Sequence, residues 1–166
     1  TLVDVAGSGA LLSLMVSKNQ PHMSCISWDL AAVAPVANEN IEKFQLQDQV
    51  KTANGDFFTD SLPTADILVM GYILHDWDEE TKLMLMKKAY DALPIGGAFV
   101  AIEGIIDDDR SKNAFGLMMS INVLIETGKG FDYTFADFSK WTKAVGFKST
   151  KIIHLAGPSS AAVAYK

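Results

Sequence analysis

The segment Ala65-Asp66-Ile67-Leu68-Val69-Met70-Gly71-Tyr72-Ile73 most narrows what this chain can fold into. It is a nearly continuous apolar run of strand length. A strand that is apolar on both faces suits the interior of a parallel sheet covered by helices on each side.

The rest of the chain alternates in the way such a sheet needs. Leu2 to Val5 reads as a short strand ending in the turn Ala6-Gly7-Ser8-Gly9, and Ala10 to Ser17 as a helix. Met23 to Trp28 is a second strand closed by Asp29, followed by helical spacing from Val33 to Phe44. Gln49 to Ala53 is a third strand, followed by Asn54-Gly55-Asp56. After the apolar run, Asp78 to Leu93 is the clearest helix, with Asp78 as N-cap and Glu79 and Glu80 in its first turn. Leu83, Met86, Ala89, Tyr90 and Leu93 form its expected apolar stripe. Pro94-Ile95-Gly96-Gly97 ends it, and Ala98 to Glu103 is the next strand. A polar linker, Asp107 to Lys112, precedes two more helices, Phe115 to Ile125 and Phe135 to Val145. Lys148 to Leu155 and Ala161 to Tyr165 then read as a closing hairpin around Gly157-Pro158-Ser159-Ser160. These units predict an α/β, Rossmann-like architecture in one domain over 1–166. Its seven-stranded sheet is mostly parallel, with an antiparallel strand from the C-terminal hairpin. Ligands of such sheets bind at the carboxyl ends of the strands.

Composition bounds the function. Apolar residues make up 49% and charged residues 20%, the balance of a globular protein. The net charge is -6 and no Lys/Arg cluster stands out, which argues against a nucleic-acid partner. No apolar run is long enough for a transmembrane helix. Cys25 is the only cysteine, so no internal disulfide can form. A cytoplasmic setting is expected. The chain opens at Thr1-Leu2-Val3-Asp4, already inside a strand, and is expected to belong to a longer protein.

Several residues fall where strand ends would place a ligand. Gly7 and Gly9 follow the first strand, where glycine permits either close ligand approach or tight packing. Asp29 ends the second strand roughly 20 residues later, where an acid can accept hydrogen bonds from ribose hydroxyls or cap a turn. Asp56 and Phe57 follow the third strand and suit an adenine amine and ring, or an Asx turn with core phenylalanines. His75, in His75-Asp76-Trp77-Asp78, follows the buried strand. An imidazole with an ordinary pKa of about 6.5 is a usable general base there, or a structural cap. Glu103 ends the next strand, where a carboxylate can fix the imidazole tautomer or be an ordinary edge acid. Asp132 and Glu126 are candidates for a second carboxylate. His22 and His154 lack such a setting. Met118, Met119, Ile121, Leu124 and Ile125 share one helix with Asn122. That helix reads first as core, with a substrate pocket as the alternative.

Taken in order, these pieces resemble the O-methyltransferases that include plant caffeate-type and hydroxyindole-type enzymes and bacterial natural-product enzymes. The matching pieces are Leu2-Val3-Asp4-Val5 with its Gly turn, Trp28-Asp29-Leu30, Gly55-Asp56-Phe57-Phe58, and Ile73-Leu74-His75-Asp76-Trp77. Pro94-Ile95-Gly96-Gly97, Glu103 and Ala144-Val145-Gly146-Phe147 complete them. The resemblance implies S-adenosyl-L-methionine as methyl donor, leaving S-adenosyl-L-homocysteine, and no metal. It places Gly7 and Gly9 at the methionine and ribose part, Asp29 at the ribose, Asp56 and Phe57 at adenine, and Trp77 nearby. His75 would be the catalytic base, Glu103 the carboxylate that positions it, and Asp132 would stand where the family has a second Glu. Met118, Met119 and Asn122 would face a small hydroxylated, aromatic acceptor.

Two departures carry their own expectations. The first turn has Ala6 and Ser8 among its glycines, one Gly short of the family's usual run. The family's N-terminal helical domain, which dimerises and helps close the substrate pocket, is absent from this sequence. The parent protein is therefore expected to be a homodimer, and this segment alone to turn over weakly. Alternatives on the same scaffold are a cofactor-binding relative that hydroxylates or decarboxylates, a non-catalytic binding module, and a nicotinamide-dependent oxidoreductase. The hairpin and the His-Asp-Trp segment count against the last.

Overall fold

A computed structural model describes residues 1–166. In chain order the elements are β1 (Leu2–Val5), α1 (Leu11–Asn19), β2 (Cys25–Asp29), α2 (Ala34–Phe44), β3 (Val50–Asn54) and β4 (Ile67–Gly71). A 3-10 turn (Leu74–Asp76), α3 (Glu79–Ala92) and β5 (Ala98–Glu103) follow. Then come α4 (Ala114–Thr127), α5 (Phe135–Val145), β6 (Ser149–Ala156) and β7 (Ser159–Tyr165). The seven strands form one sheet in the order β3-β2-β1-β4-β5-β7-β6. The first five are parallel, and β7 runs antiparallel to both β5 and β6. The expected mixed, mostly parallel α/β sheet is present.

The strand order reverses at β1 and β4, which pair directly. Val5 lies level with Trp28 on one side and Met70 on the other. The loops after β1, β2, β3, β4 and β5 therefore open along one edge, where α/β sheets hold ligands.

Burial follows from the alternation of side chains along each strand. Val3, Val5, Leu68, Met70 and Phe99 enter a large cluster with Leu85, Met86, Phe138 and Trp141 from α3 and α5. Leu2, Cys25, Val50 and Val69 pack the other face with Leu14, Ala37 and Ile41 from α1 and α2. At α3, Asp78 caps as expected, accepting the Thr81 N–H at 2.9 Å. The buried stripe of α3 is Lys82, Leu85, Met86 and Ala89. It is rotated from the expected one, so Leu83 and Tyr90 are only half-buried.

Three expectations are corrected. The apolar run from Ala65 to Ile73 gives a shorter strand, because Tyr72 turns left-handed with φ of 54° and Ile73 leads into the 3-10 turn. The hairpin turn is two residues, Gly157 and Pro158, and β7 starts at Ser159. The helix of Met118, Ile121, Leu124 and Ile125 is not core: these side chains are 72%, 62%, 51% and 78% exposed. The inner side of α4 is carried by Gly116 and Val123. A Cβ on Gly116 would lie 2.3 Å from the Gly104 carbonyl oxygen, so the helix seats by its smallest residue and turns its large side chains outward.

Asp4, on β1, is buried beside Ser13 of α1, whose hydroxyl donates to it at 3.3 Å. Burial raises its carboxyl to about 6. In the unfolded chain that group ionises near about 3.9. Between those values the unfolded state sheds the proton and the folded state keeps it, so stability falls as pH rises and then levels off. Asp4→Asn should flatten that decline, by up to roughly 3 kcal/mol between pH 4 and pH 7.5. Urea unfolding of both proteins across that range checks it, and parallel curves would contradict it.

Candidate active site

The first loop is bent by residues other than its glycines. Ala6, Ser8 and Ala10 take φ of 56°, 48° and 61°, whereas Gly7 and Gly9 keep ordinary φ. The glycines are there for space. A Cβ on Gly7 would lie 2.5 Å from the Ser27 hydroxyl oxygen and 2.9 Å from an Asp4 carboxylate oxygen. One on Gly9 would meet Asn40 Nδ2 at 2.9 Å, and Asn40 donates to the Gly9 carbonyl at 2.9 Å. Asp29 holds the loop from β2: one oxygen accepts the Ser8 N–H at 2.9 Å and the other the Leu30 N–H at 2.7 Å.

Beside this loop is a largely apolar cavity of about 280 Å³. Trp28, Phe57, Phe58 and Trp77 supply rings, and Asp29 and Asp56 supply carboxylates. Phe58 stands edge-on to Trp77 at 4.8 Å between centroids, and Phe57 does so at 6.0 Å. Gly55 leaves room for Trp28, whose ring carbon Cζ2 would be 2.2 Å from a Cβ there. The buried Trp77 indole N–H has no hydrogen-bond partner. Asp56 also closes an Asx turn, accepting the Phe58 N–H at 2.8 Å. Asp29, Asp56, Phe57 and Trp77 are thus brought together. Gly7 and Gly9 do not line this cavity; from the first loop only Ala6 does.

His75 lies in the 3-10 turn after β4, only 6% exposed. Its Nδ1 is 3.4 Å from Asp132 Oδ1 and its Nε2 is 3.4 Å from Asp76 Oδ1. Glu103, at the end of β5, accepts the main-chain N–H of His75 at 3.2 Å. The expected contact between Glu103 and the imidazole is therefore replaced by one to the backbone. Glu103 ends level with the turn and reaches its peptide, while the ring is flanked by Asp132 and Asp76. Gly130 lets the Asp132 loop lie against this turn: a Cβ there would be 2.6 Å from the His75 carbonyl oxygen. Glu126 is exposed, accepts from Asn122 Nδ2 at 3.2 Å and makes no contact with the His75 ring, although its charge helps raise Asp76.

Burial alone would hold His75 neutral, but Asp132, Glu103 and Asp76 outweigh it and raise its pKa. Burial raises Asp76, and raises Glu103 to about 7. Above its pKa the imidazole is neutral, and a proton it accepts would be stabilised by these carboxylates.

Met118, Met119 and Asn122 line an open apolar groove of about 450 Å³ on α4, with Phe115, Ile121 and Ile125. A larger depression of about 560 Å³ lies between the Asp107 loop and the hairpin. It holds none of the expected residues, and the Asp107 carboxylate there is taken up by the N–H groups of Ser111, Lys112 and Asn113.

Sequence reasoning missed two residues of the His75 cluster. Asp76 was in view only as part of a motif. Lys82 was not singled out, although its spacing from Leu85, Met86 and Ala89 marks it as inward-facing on α3.

The chain is 33% identical over its whole length to the tetracenomycin polyketide synthesis 8-O-methyl transferase TcmO of Streptomyces glaucescens, covering 49% of that protein. It is 32% identical, over 96% of its length, to a 3-hydroxy-5-methyl-1-naphthoate 3-O-methyltransferase of Streptomyces sahachiroi, covering 46% of it. The chain thus spans about half the length of these relatives. The solved structure of human N-acetylserotonin methyltransferase in complex with SAM superposes over 99% of this chain and 47% of that one, with a TM-score of 0.90 at 25% identity. Residues 1–148 match the O-methyltransferase domain family, and the chain belongs to that family.

Proposed function

We propose that residues 1–166 are the cofactor-binding, catalytic domain of a longer O-methyltransferase. It would move the methyl of S-adenosyl-L-methionine to a hydroxyl of a small aromatic metabolite, with His75 as general base. The observation that carries this is the buried His75, flanked by Asp132 and Asp76 at the carboxyl end of β4, where the strand order reverses.

The cavity's chemistry suits the adenosine part of the cofactor. Its rings suit the flat faces of adenine, and its carboxylates suit hydroxyl and amine donors. Asp29 would hold the ribose, Asp56 and Phe57 the adenine, and Trp77 would close the aromatic side. When bound, the cofactor supplies a methyl already activated by a sulfonium, so the protein need not create an electrophile. The chain's work is then alignment and proton removal. Alignment of reacting atoms contributes several kcal/mol in such reactions. His75 takes the hydroxyl proton, Asp132 and Asp76 stabilise the imidazolium, and Glu103 holds the turn that carries the ring. A phenol, with a pKa of about 10, is a suitable donor to a neutral imidazole.

The naphthoate enzyme and the polyketide enzyme are named for O-methylation of their substrates, which supports a hydroxylated aromatic acceptor here. The groove of Met118, Met119 and Asn122 would form one wall of the acceptor site, completed by residues outside this chain. A homodimeric parent is part of the same proposal. No helix of the chain is long and apolar enough to cross a membrane.

Calorimetry on the chain with S-adenosylmethionine and S-adenosylhomocysteine tests the first half. One site is expected, weakened about ten- to a hundredfold in Asp29→Ala, the loss of hydrogen bonds to a charged acceptor. No heat at millimolar ligand with a folded chain would contradict it. In the intact protein, assayed with a panel of phenols, His75→Gln should lower kcat by about 10²–10⁴-fold. The base must be deprotonated to act and its pKa is raised, so kcat/KM should rise with pH through a midpoint above the ordinary value of about 6.5. A midpoint below that value would be evidence against His75.

A further inference from the structure

The His75 cluster contains one charge that the reading above leaves unused. Lys82, on α3, is 0% exposed, and no other lysine and no arginine is buried. Taking an ammonium out of water costs several kcal/mol unless its surroundings replace the lost hydration. Its recorded partners are few. Nζ donates to the Trp77 carbonyl and lies 3.5 Å from the centroid of the Phe131 ring, with the Tyr133 ring at 5.8 Å.

Those contacts join two segments. Trp77 follows directly on the turn that carries His75, and Phe131 precedes Asp132. The ammonium therefore sits between the backbone of the ring and the loop of the carboxylate facing it. An apolar side chain would complete the stripe of Leu85, Met86 and Ala89 without the desolvation cost. A cation does something else: it brings a positive charge into a region that also buries two carboxylates, Glu103 at 0% and Asp132 at 1% exposure.

We propose that Lys82 is a positioning residue of the proton-accepting site, tying the His75 turn to the Asp132 loop and placing a positive charge within the buried cluster around the imidazole. This rests on His75 as the base and goes beyond it, since it names what sets the proton affinity of the cluster.

The charged and titratable groups around the ammonium come from every packed element. They are Asp78 at the start of α3, His75 and Asp76 on the turn, Glu103 on β5, and Asp132 and Tyr133 on the following loop. Asp78 is shared with Lys129, whose Nζ is 3.1 Å away. Burial lowers Lys82 to about 8, against the upward pull of Glu103, Asp132, Asp78 and Asp76 in that order. Without the cation, the imidazolium no longer has a like charge near it and persists to higher pH.

The test is an NMR titration of the intact protein labelled with carbon-13 at histidine, with His75 assigned by its loss in His75→Gln. Lys82→Met should raise the His75 midpoint by about one pH unit, and Lys82→Arg should restore most of that shift. A folded Lys82→Met with an unmoved His75 midpoint would reduce Lys82 to packing and overturn the proposal. If Lys82→Met fails to fold, lysine-labelled wild-type protein decides. A Lys82 midpoint near 8, with an inflection of His75 at the same pH, supports the proposal. A midpoint at the ordinary lysine value of about 10.4 with no response at His75 overturns it. These outcomes are independent of methyl transfer. If His75→Gln keeps full activity the base reading fails, whereas the Lys82 effect on the His75 titration stands or falls by itself.

Discussion

Direct pairing of β1 with β4 is the constraint on which the rest of the structure depends. The chain lays β2 and β3 to one side of β1, then crosses to lay β4 and β5 on the other. At that reversal the loops after β1 and β4 diverge, which opens a crevice between them. The register keeps Val5, Trp28 and Met70 level, so the Asp29 loop, the aromatic cavity and the His75 turn all open at one height. A slip of one residue in the β1–β4 register would exchange Leu68 and Met70 for Val69 at the α3 face and misplace the His75 turn. Core packing and site geometry therefore depend on the same hydrogen bonds.

The second constraint is electrostatic. His75, Glu103, Asp132 and Lys82 are all buried within one region. Several of their polar atoms, His75 Nδ1, Glu103 Oε2, Asp132 Oδ2 and the Tyr133 hydroxyl, have no hydrogen-bond partner. Such atoms cost stability in a structure whose only task is to be folded. They are what a site needs if it is to receive a hydroxyl and its proton. The cost is localised: the aromatic packing of Tyr133 on Phe138 and Trp141 surrounds the cluster with rigid, apolar contacts.

Much of this was legible in the residues. β1, β5 and α5 fall where apolar patterning put them, because each is bounded by an unambiguous stop such as the Gly turn, Gly97 or Gly146. The strand-end positions of Asp29, Asp56, His75 and Glu103 followed from the same alternation. The contacts of those side chains were not legible. Nothing in the spacing says that Glu103 reaches a peptide N–H and Asp132 the ring, since both depend on how closely Gly130 lets one loop approach another. The face of α4 was misjudged because hydrophobicity alone ranks Met118 and Ile125 as core. The seating of that helix is instead decided by Gly116, which a hydrophobic count ignores. Lys82 was passed over for the opposite reason: its position matches the buried stripe and its chemistry does not.

The Gly-poor first loop shows how far a local substitution can be absorbed. Ala6, Ser8 and Ala10 occupy left-handed conformations that cost L-residues on the order of 1–2 kcal/mol each. The loop keeps its path because it is held from outside. Asp29 fixes the Ser8 N–H, Asn40 fixes the Gly9 carbonyl, and Ser27 and Asp4 fill the space a Gly7 Cβ would take. Glycine is retained at the two positions where a Cβ has no room and replaced where the strain is conformational. Strain of the second kind can be offset by hydrogen bonds elsewhere, while a Cβ 2.5 Å from the Ser27 hydroxyl oxygen and 2.9 Å from an Asp4 carboxylate oxygen forces those buried side chains to shift. A shortage of glycine in this turn thus costs stability before it costs shape.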